Sequence, residues 1–337
     1  MNSLERIQAT LAFGPADRVP VVPQVFGHAA TLAGVPLIDY VRDGALLARC
    51  QLQALDHYGY DAVFALMDVN VETEALGSVL TYRPGQYPFV QSYALADGRD
   101  LDRLQVPDPQ YAGRMPQLLK AATLLRQALG DEVLVVGCVM GPMTLATQLM
   151  GLEAALNLAI DRPEGFARLL DFSLAVVLRF GTAQLAAGVH LPIVFDPSSS
   201  PEVIPPQFYR EFVLPRLTRL FAAFTQAGAA TNWLHTAGQA QAILPFYPQA
   251  GVALANLDYC VDPVRAAQAL PCTCLNGNIK PLSFVTATPA EIGREASRLL
   301  ALFAERGGFV LSSGCEIPPE AQPENIAALV AAACPVG

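Results

Sequence analysis

Thr231-Asn-Trp-Leu-His-Thr-Ala-Gly238 and Leu311-Ser-Ser-Gly-Cys-Glu-Ile-Pro-Pro319 share one pattern: a short apolar run ends at a glycine turn, where an imidazole or a thiol stands. Such a run reads as a buried parallel strand that delivers a side chain to its carboxyl end. His235 and Cys315 are far apart in sequence, yet a closed parallel barrel brings its strand ends to one mouth. Imidazole and thiolate together are a donor set suited to zinc.

The rest of the chain supplies the other staves. Arg18-Val-Pro-Val-Val-Pro-Gln-Val-Phe26 is a β-rich run with prolines, closed by Gly27-His28, and Asp61-Ala-Val-Phe-Ala-Leu-Met67 is a buried strand ending at Asp68. Residues 132–140, 191–196, 230–234, 251–257, 272–276 and 308–312 complete eight apolar runs. Helical spacing lies between them over residues 4–13 (with Ser3 as the cap), 44–58, 115–129, 163–187, 206–227 and 323–333. Gly141-Pro142 opens a further helix, expected to run through Ala159. Residues 71–115, rich in Gly, Pro and Tyr, read as an insertion carrying a hairpin. Residues 1–337 are therefore expected to form a single domain, an α/β (β/α)8 TIM barrel of ~250 residues plus an N-terminal helix and the insertion. An open doubly wound sheet announces itself with G-x-G-x-x-G after its first strand, and Phe26-Gly-His-Ala-Ala-Thr31 does not fit that pattern.

The composition, 53% hydrophobic and 15% charged, is that of a chain with an extensive core. A net charge of -9 argues against nucleic acid or an anionic membrane as partner. No uninterrupted apolar run reaches ~18 residues, so a membrane span is not expected. The N-terminus reads as an amphipathic helix start and not as a signal peptide. Seven cysteines without a secretion signal suggest reduced thiols and a cytoplasmic protein.

In a barrel the active site is built from the strand ends. Those ends carry Gln24, His28, Asp68, Met140, Asp196, His235, Asp258, Asn276, Asn278 and Cys315, a set far more polar than the strands that bear it. Polar groups gathered there are costly without a ligand or water to satisfy them. For any one of them a solvated loop residue is the simpler reading; together they mark a site. Cys272 and Cys274 precede Asn276 and read as barrel wall, Cys260 as a stray donor near Asp258, and Cys50, Cys138 and Cys334 as structural. His57 and His190 read as surface caps at helix ends.

Several motifs carry a family resemblance over nearly the whole length. Asp196-Pro-Ser-Ser-Ser-Pro201 is followed by Pro206-Gln-Phe-Tyr-Arg-Glu-Phe212, and Leu234-His-Thr-Ala-Gly238 by Leu275-Asn-Gly-Asn-Ile279. Gly314-Cys-Glu-Ile-Pro-Pro319 then precedes Pro323-Glu-Asn325. In these the chain resembles the uroporphyrinogen decarboxylase superfamily, and more closely its corrinoid-dependent methyltransferase branch, such as the methylcobalamin:coenzyme M methyltransferases. The resemblance implies a methyl group moved between a corrinoid (cobalamin), held on a partner corrinoid protein, and a small-molecule thiol or O-/S-methyl substrate. His235 and Asp196 would be the catalytic residues, with His28, Gln24, Asp68, Met140, Asp258 and Asn278 contacting substrate.

The methyltransferase branch holds zinc through a His-x-Cys pair and a later Cys. His235 and Cys315 match two of those positions, but Ala237 stands where the second thiolate would be. An oxygen ligand from Asp196, Asp258 or Glu316 would restore a zinc set; without one, His235 is a hydrogen-bonding group. True decarboxylases of the superfamily grip a tetrapyrrole with eight carboxylates through an arginine-rich N-terminal segment. Pro20-Val-Val-Pro-Gln-Val-Phe-Gly-His28 contains no arginine, which argues against porphyrinogen decarboxylation. Two other readings stand beside methyl transfer. One is a divergent member that binds a cofactor or tetrapyrrole-like ligand without turnover. The other is a lyase on a small carboxylic acid, for which Lys280 is the single cation near a strand end. An exposed apolar rim would also suit a homodimer.

Overall fold

The computed structural model describes residues 1–95 and 98–334, so two residues of the 71–115 insertion and the last three of the expected domain lie outside the described residues. Strand β1 (Ala62–Ala65) is followed by an antiparallel hairpin of β2 (Val79–Thr81) and β3 (Phe89–Ser92). Then come β4 (Leu134–Met140), β5 (Leu191–Phe195), β6 (Trp233–His235), β7 (Leu254–Asn256), β8 (Cys274–Ile279) and β9 (Phe309–Ser313). All but the hairpin form one parallel sheet in the order β1-β4-β5-β6-β7-β8-β9, the curled sheet of a TIM barrel. Helices follow the strands and cover their outer faces, so β4 is buried along its whole length. That two-sided burial is why these strands read as continuous apolar runs.

The eighth stave differs from the sequence expectation. The run after Arg18 makes only an isolated parallel bridge, Val21 to Leu311, and is not a regular strand. Leu311 N donates to Pro20 O and Val22 N to Leu311 O, both at 2.9 Å, while on the other side Asp61 N donates to Val21 O at 2.8 Å. The run thus closes the gap between β9 and β1, but Pro20 and Pro23 have no N–H to extend a ladder. Side chains substitute: Ser312 Oγ donates to Val22 O at 2.6 Å, and Gln24 N donates to Ser313 Oγ at 3.2 Å.

A buried ion cluster pins this closure from below. Asp61 accepts from Ser3 Oγ, Arg6 Nη1, Arg18 Nη1 and Nη2, and Val21 N at 2.6–3.0 Å. It ties the first helix (Ser3–Leu11) and the proline-rich run to β1. That helix is capped by Asn2 in a capping box with Glu5, one residue earlier than the expected Ser3.

Two expected helices are interrupted. The one opened by Gly141-Pro142 breaks at Gly151, at φ +87°, into Pro142–Met150 and Leu152–Asp161, bent by 105°. Tyr93, just past the hairpin, packs so closely on Gly151 that a Cβ there would lie 2.9 Å from its ring. The helix begun at Pro206 passes through a π-helical turn over Tyr209–Val213 before continuing as Leu214–Gln226. Helix Pro163–Ala186 is long and apolar enough by composition to span a bilayer, but Phe166, Leu170, Leu174, Val177 and Phe180 are buried in the protein core. Gln184 on the same helix clamps β4 by accepting from Cys138 N and donating to Cys138 O, at 2.8 and 2.7 Å.

Candidate active site

The carboxyl ends of the strands surround a cavity of about 190 Å³, below the ~300–1,000 Å³ usual for ligand pockets. Its walls come from separate parts of the chain. Leu66, Asp68 and Val69 follow β1, Phe195 ends β5 and Pro197 follows it, while His235 ends β6 and Ala237 follows it. Cys315 and Glu316 follow β9; Phe26 comes from the end of the closing run and Tyr87 from the insertion. The Phe26 and Phe195 rings meet edge to face at 6.2 Å, and Phe195 lies 4.7 Å from the His235 ring. Most of the lining is apolar.

His235 is fully buried, and neither ring nitrogen has a hydrogen-bond partner within the protein. Burial lowers its pKa to about 4, against the opposing pull of the Asp258 carboxylate, so the ring is neutral at pH 7. A neutral imidazole offers one N–H and one lone pair, and here the protein uses neither. Burial pushes the Cys315 thiol up to about 12, so it is protonated. Burial likewise raises the Glu316 carboxyl to about 7, offset by the Tyr87 hydroxyl and Gly27 N–H that donate to it. Tyr87 Oη donates to Glu316 Oε1 at 2.5 Å and accepts from Gly27 N at 2.8 Å. Glu316 Oε2 is left with neither of these partners.

Asp68 lines the cavity, and its carboxylate is engaged from behind by Arg114. Arg114 spends its other donors on Glu74 Oε2 at 2.5 Å and Val41 O at 2.8 Å. Beneath the cavity the register aligns His235, Asn256 and Asn276 across β6, β7 and β8. Gln24 reaches this layer by donating to Asn256 Oδ1 at 2.7 Å, while Asn256 Nδ2 donates to Gly314 O at 2.8 Å. Gln24 Oε1 and Asn276 Oδ1 have no partner within the protein.

Of the residues expected at the site, the structure brings His235, Cys315, Asp68, Glu316 and Ala237 to one cavity. Gln24 sits in the layer below, and Asp258 stands behind, accepting from Gly238 N at 2.9 Å and from Cys260 N and Sγ at 3.3 Å. Four others are placed elsewhere. His28 lies within a short helix that starts at Gly27, which turns its ring to Tyr58 Oη at 2.7 Å and Pro319 O at 3.2 Å. Asp196 accepts from Thr144 N and Oγ1 at 2.8 and 2.7 Å, an anion at the start of the helix that follows β4. Its other oxygen is buried without a partner, and burial raises its pKa to about 6.

Met140 is buried outside the cavity lining, its N–H donated to the buried Glu72. Asn278 donates to Asp258 O and Val261 O at 3.1 and 3.0 Å and lines a separate, more open depression that also holds Lys280, Glu291 and Glu295. Lys280 therefore provides no clamp in the cavity. His190 is not a surface cap: its Nδ1 accepts from Val135 N at 2.9 Å beside Arg126. Cys274 is buried as wall, whereas Cys272 is exposed.

Tyr87, Asn256 and the two phenylalanine walls stand at the site without being among the residues expected there. Asn256 was accessible through the same strand-end position as Asn276. Tyr87 was not, because its segment has no periodicity that orients side chains.

A catalytic zinc keeps three protein ligands; of the expected donors His235, Cys315 and Glu316 line this cavity, with Ala237 offering a methyl group where a second thiolate would stand. Among the described residues, no group of three His, Cys, Asp or Glu side chains is arranged to hold a metal ion. The expected oxygen ligands are turned to other partners: Asp196 to Thr144, Asp258 to Gly238, and Glu316 to Tyr87. The residues present fall one ligand short.

The family model of uroporphyrinogen decarboxylase (URO-D) matches residues 2–334. A uroporphyrinogen decarboxylase of Syntrophotalea carbinolica is 31% identical over 303 residues, covering 88% of this chain and 85% of its own. The methylcobamide:CoM methyltransferase MtaA of Methanosarcina barkeri is 28% identical over 341 residues, covering 97% and 96%. Among solved structures, a methyltransferase from Methanosarcina mazei superposes with a TM-score of 0.90 at 25% identity, covering 98% of both chains.

Proposed function

The chain belongs to the uroporphyrinogen decarboxylase (URO-D) family, and from that premise we propose that it is a methyltransferase, moving a methyl group between a methylcobamide and a small substrate seated in the barrel mouth. The observation that carries this reading is the cavity. At about 190 Å³, and with no lysine or arginine among its described lining residues, it offers neither room nor counter-charge to a tetrapyrrole with eight carboxylates. The similarity to methyltransferases over the full length supplies the alternative chemistry.

With a thiol acceptor, the sulfur forms a bond to the methyl carbon, the cobalt–carbon bond breaks with its electron pair left on cobalt, and the thiol proton passes to the Glu316 carboxylate. Phe26 and Phe195 exclude water from the reacting sulfur, and His235 orients it by a hydrogen bond. Because the zinc donor set is one short, no step is routed through a metal. The methylcobamide would be presented by a separate corrinoid protein at the rim, in the cytoplasm, where the seven cysteines remain free thiols.

The incomplete donor set also favours a second reading, a member that binds its ligand without turnover. Purified protein given methylcobamide with a small thiol, and separately uroporphyrinogen, discriminates the cases. Methylated thiol without carbon dioxide release supports methyl transfer. Carbon dioxide release overturns it, and binding with neither product supports the second reading.

A further inference from the structure

We propose that the cavity selects a small uncharged substrate with an apolar body, a thiol or methyl ether, and discriminates against anionic thiols such as CoM (2-mercaptoethanesulfonate), the acceptor in the MtaA name. This rests on the methyl-transfer reading and adds the charge class of its substrate. The lining holds two carboxyl side chains, Asp68 and Glu316, and no cation among the described residues. Asp68 is balanced by Arg114, but that guanidinium cannot also serve a ligand. Four of its five N–H groups go to Asp68, Glu74 and Val41 O, behind the wall.

Glu316 has only neutral partners, the Tyr87 hydroxyl and the Gly27 N–H, so it brings no cation with it that an incoming anion could share. A sulfonate brought into this apolar space would lose its hydration and gain no ion pair. An uncharged thiol of the same length loses far less on entry and finds Phe26, Phe195 and Leu66 to pack against. Lys280 does not alter this balance, since it belongs to the separate depression and lies over the Tyr259 ring at 5.4 Å.

The test is titration calorimetry of the full chain with three two-carbon thiols: 2-mercaptoethanol, 2-mercaptoethanesulfonate and cysteamine. Anisole and 4-methoxybenzoate form the corresponding ether pair. Each neutral probe is expected to bind at least about tenfold more tightly than its anionic counterpart, the factor set by 1.4 kcal/mol. Equal or tighter binding of the anions overturns the proposal. So does tightest binding of cysteamine, or no detectable binding of any neutral probe.

A gain-of-charge variant provides an independent arm. Val69 lines the cavity and is 43% exposed, so Val69→Lys places an ammonium at the mouth without opening the core. It should shift the ratio of sulfonate to neutral affinity by about tenfold toward the sulfonate; an unchanged ratio contradicts the charge argument. Binding is read without methylcobamide. The expected order without methyl transfer would therefore sink the methyltransferase reading alone, and transfer to the sulfonate in preference would sink this inference alone.

Discussion

Replacing Asp61 by alanine tests how the barrel is closed. Asp61 is fully buried and accepts five hydrogen bonds, from Ser3, Arg6, twice from Arg18, and from the Val21 N–H. Removing the carboxylate leaves two guanidinium groups with their mutual counter-charge gone, although Arg6 retains Asp17 at 2.6 Å. Breaking a buried pair from one side costs about 3–5 kcal/mol. At ~2.1 cal/mol/K per residue, a loss of about 4 kcal/mol in a chain of this length lowers Tm by about 6 °C.

The assay is urea unfolding followed by circular dichroism and, independently, by fluorescence of Trp233. Because the proline-rich run also carries Phe26, the variant should bind substrate less tightly as well. A triple variant, Arg6→Met with Arg18→Met and Asp61→Leu, should lose less than Asp61→Ala alone, since no buried charge is then stranded and Asp17, which loses Arg6, is half-exposed. A change below about 1 kcal/mol in Asp61→Ala would refute the account, because it would mean that the cluster does not hold the closing run.

Further consequences follow for the site itself. The folded pKa of His235, about 4, lies below its ordinary 6.5, so the unfolded chain takes up this proton first as pH falls. Its contribution is intact above pH 6.5 and is lost as pH drops through about 4, an effect of about 3 kcal/mol. The difference in urea midpoint between wild type and His235→Gln should shrink over that window; a pH-independent difference would contradict the buried neutral ring. Ala237→Cys restores the third donor beside His235 and Cys315, and should raise zinc content, read by elemental analysis, to about one ion per chain. Equal zinc in wild type and variant would show that Ala237 is not the missing donor. Tyr87→Phe removes a donor to Glu316 and an acceptor of Gly27 N–H, and should cost about 1–3 kcal/mol in unfolding together with a weaker hold on substrate. An unchanged midpoint would place Tyr87 outside the site's support.

What was legible in the sequence divides along physical lines. Strands β4 and β5 announce themselves because both faces are buried, and an uninterrupted apolar run encodes that directly. The run from Arg18 to Phe26 reads as a strand for the same reason. Its composition suits the wall, but Pro20 and Pro23 withhold the donors that would make it a ladder. His235 and Cys315 were found because strand ends of a parallel barrel share one mouth.

The level of a residue along a strand does not give its rotation or its partners. Asp196 and Asn278 are at the expected height, yet they serve a helix start and a loop carbonyl. His28, one residue past Gly27, is carried round by the helix it belongs to and meets Tyr58 instead of the cavity. Tyr87 shows the opposite failure. Its contact with Glu316 joins an aperiodic insertion to a segment 229 residues away, and no local pattern encodes such a pairing.

The most direct test of the central claim traces the methyl carbon. The protein is incubated with methylcobamide carrying a ¹³C-methyl group and with 2-mercaptoethanol, and the products are read by NMR, alongside Glu316→Gln. The account predicts a ¹³C signal on sulfur in the wild type, formed much more slowly in the variant. A label that stays on cobalt while the thiol is bound, or a protein that instead releases carbon dioxide from uroporphyrinogen, would contradict it.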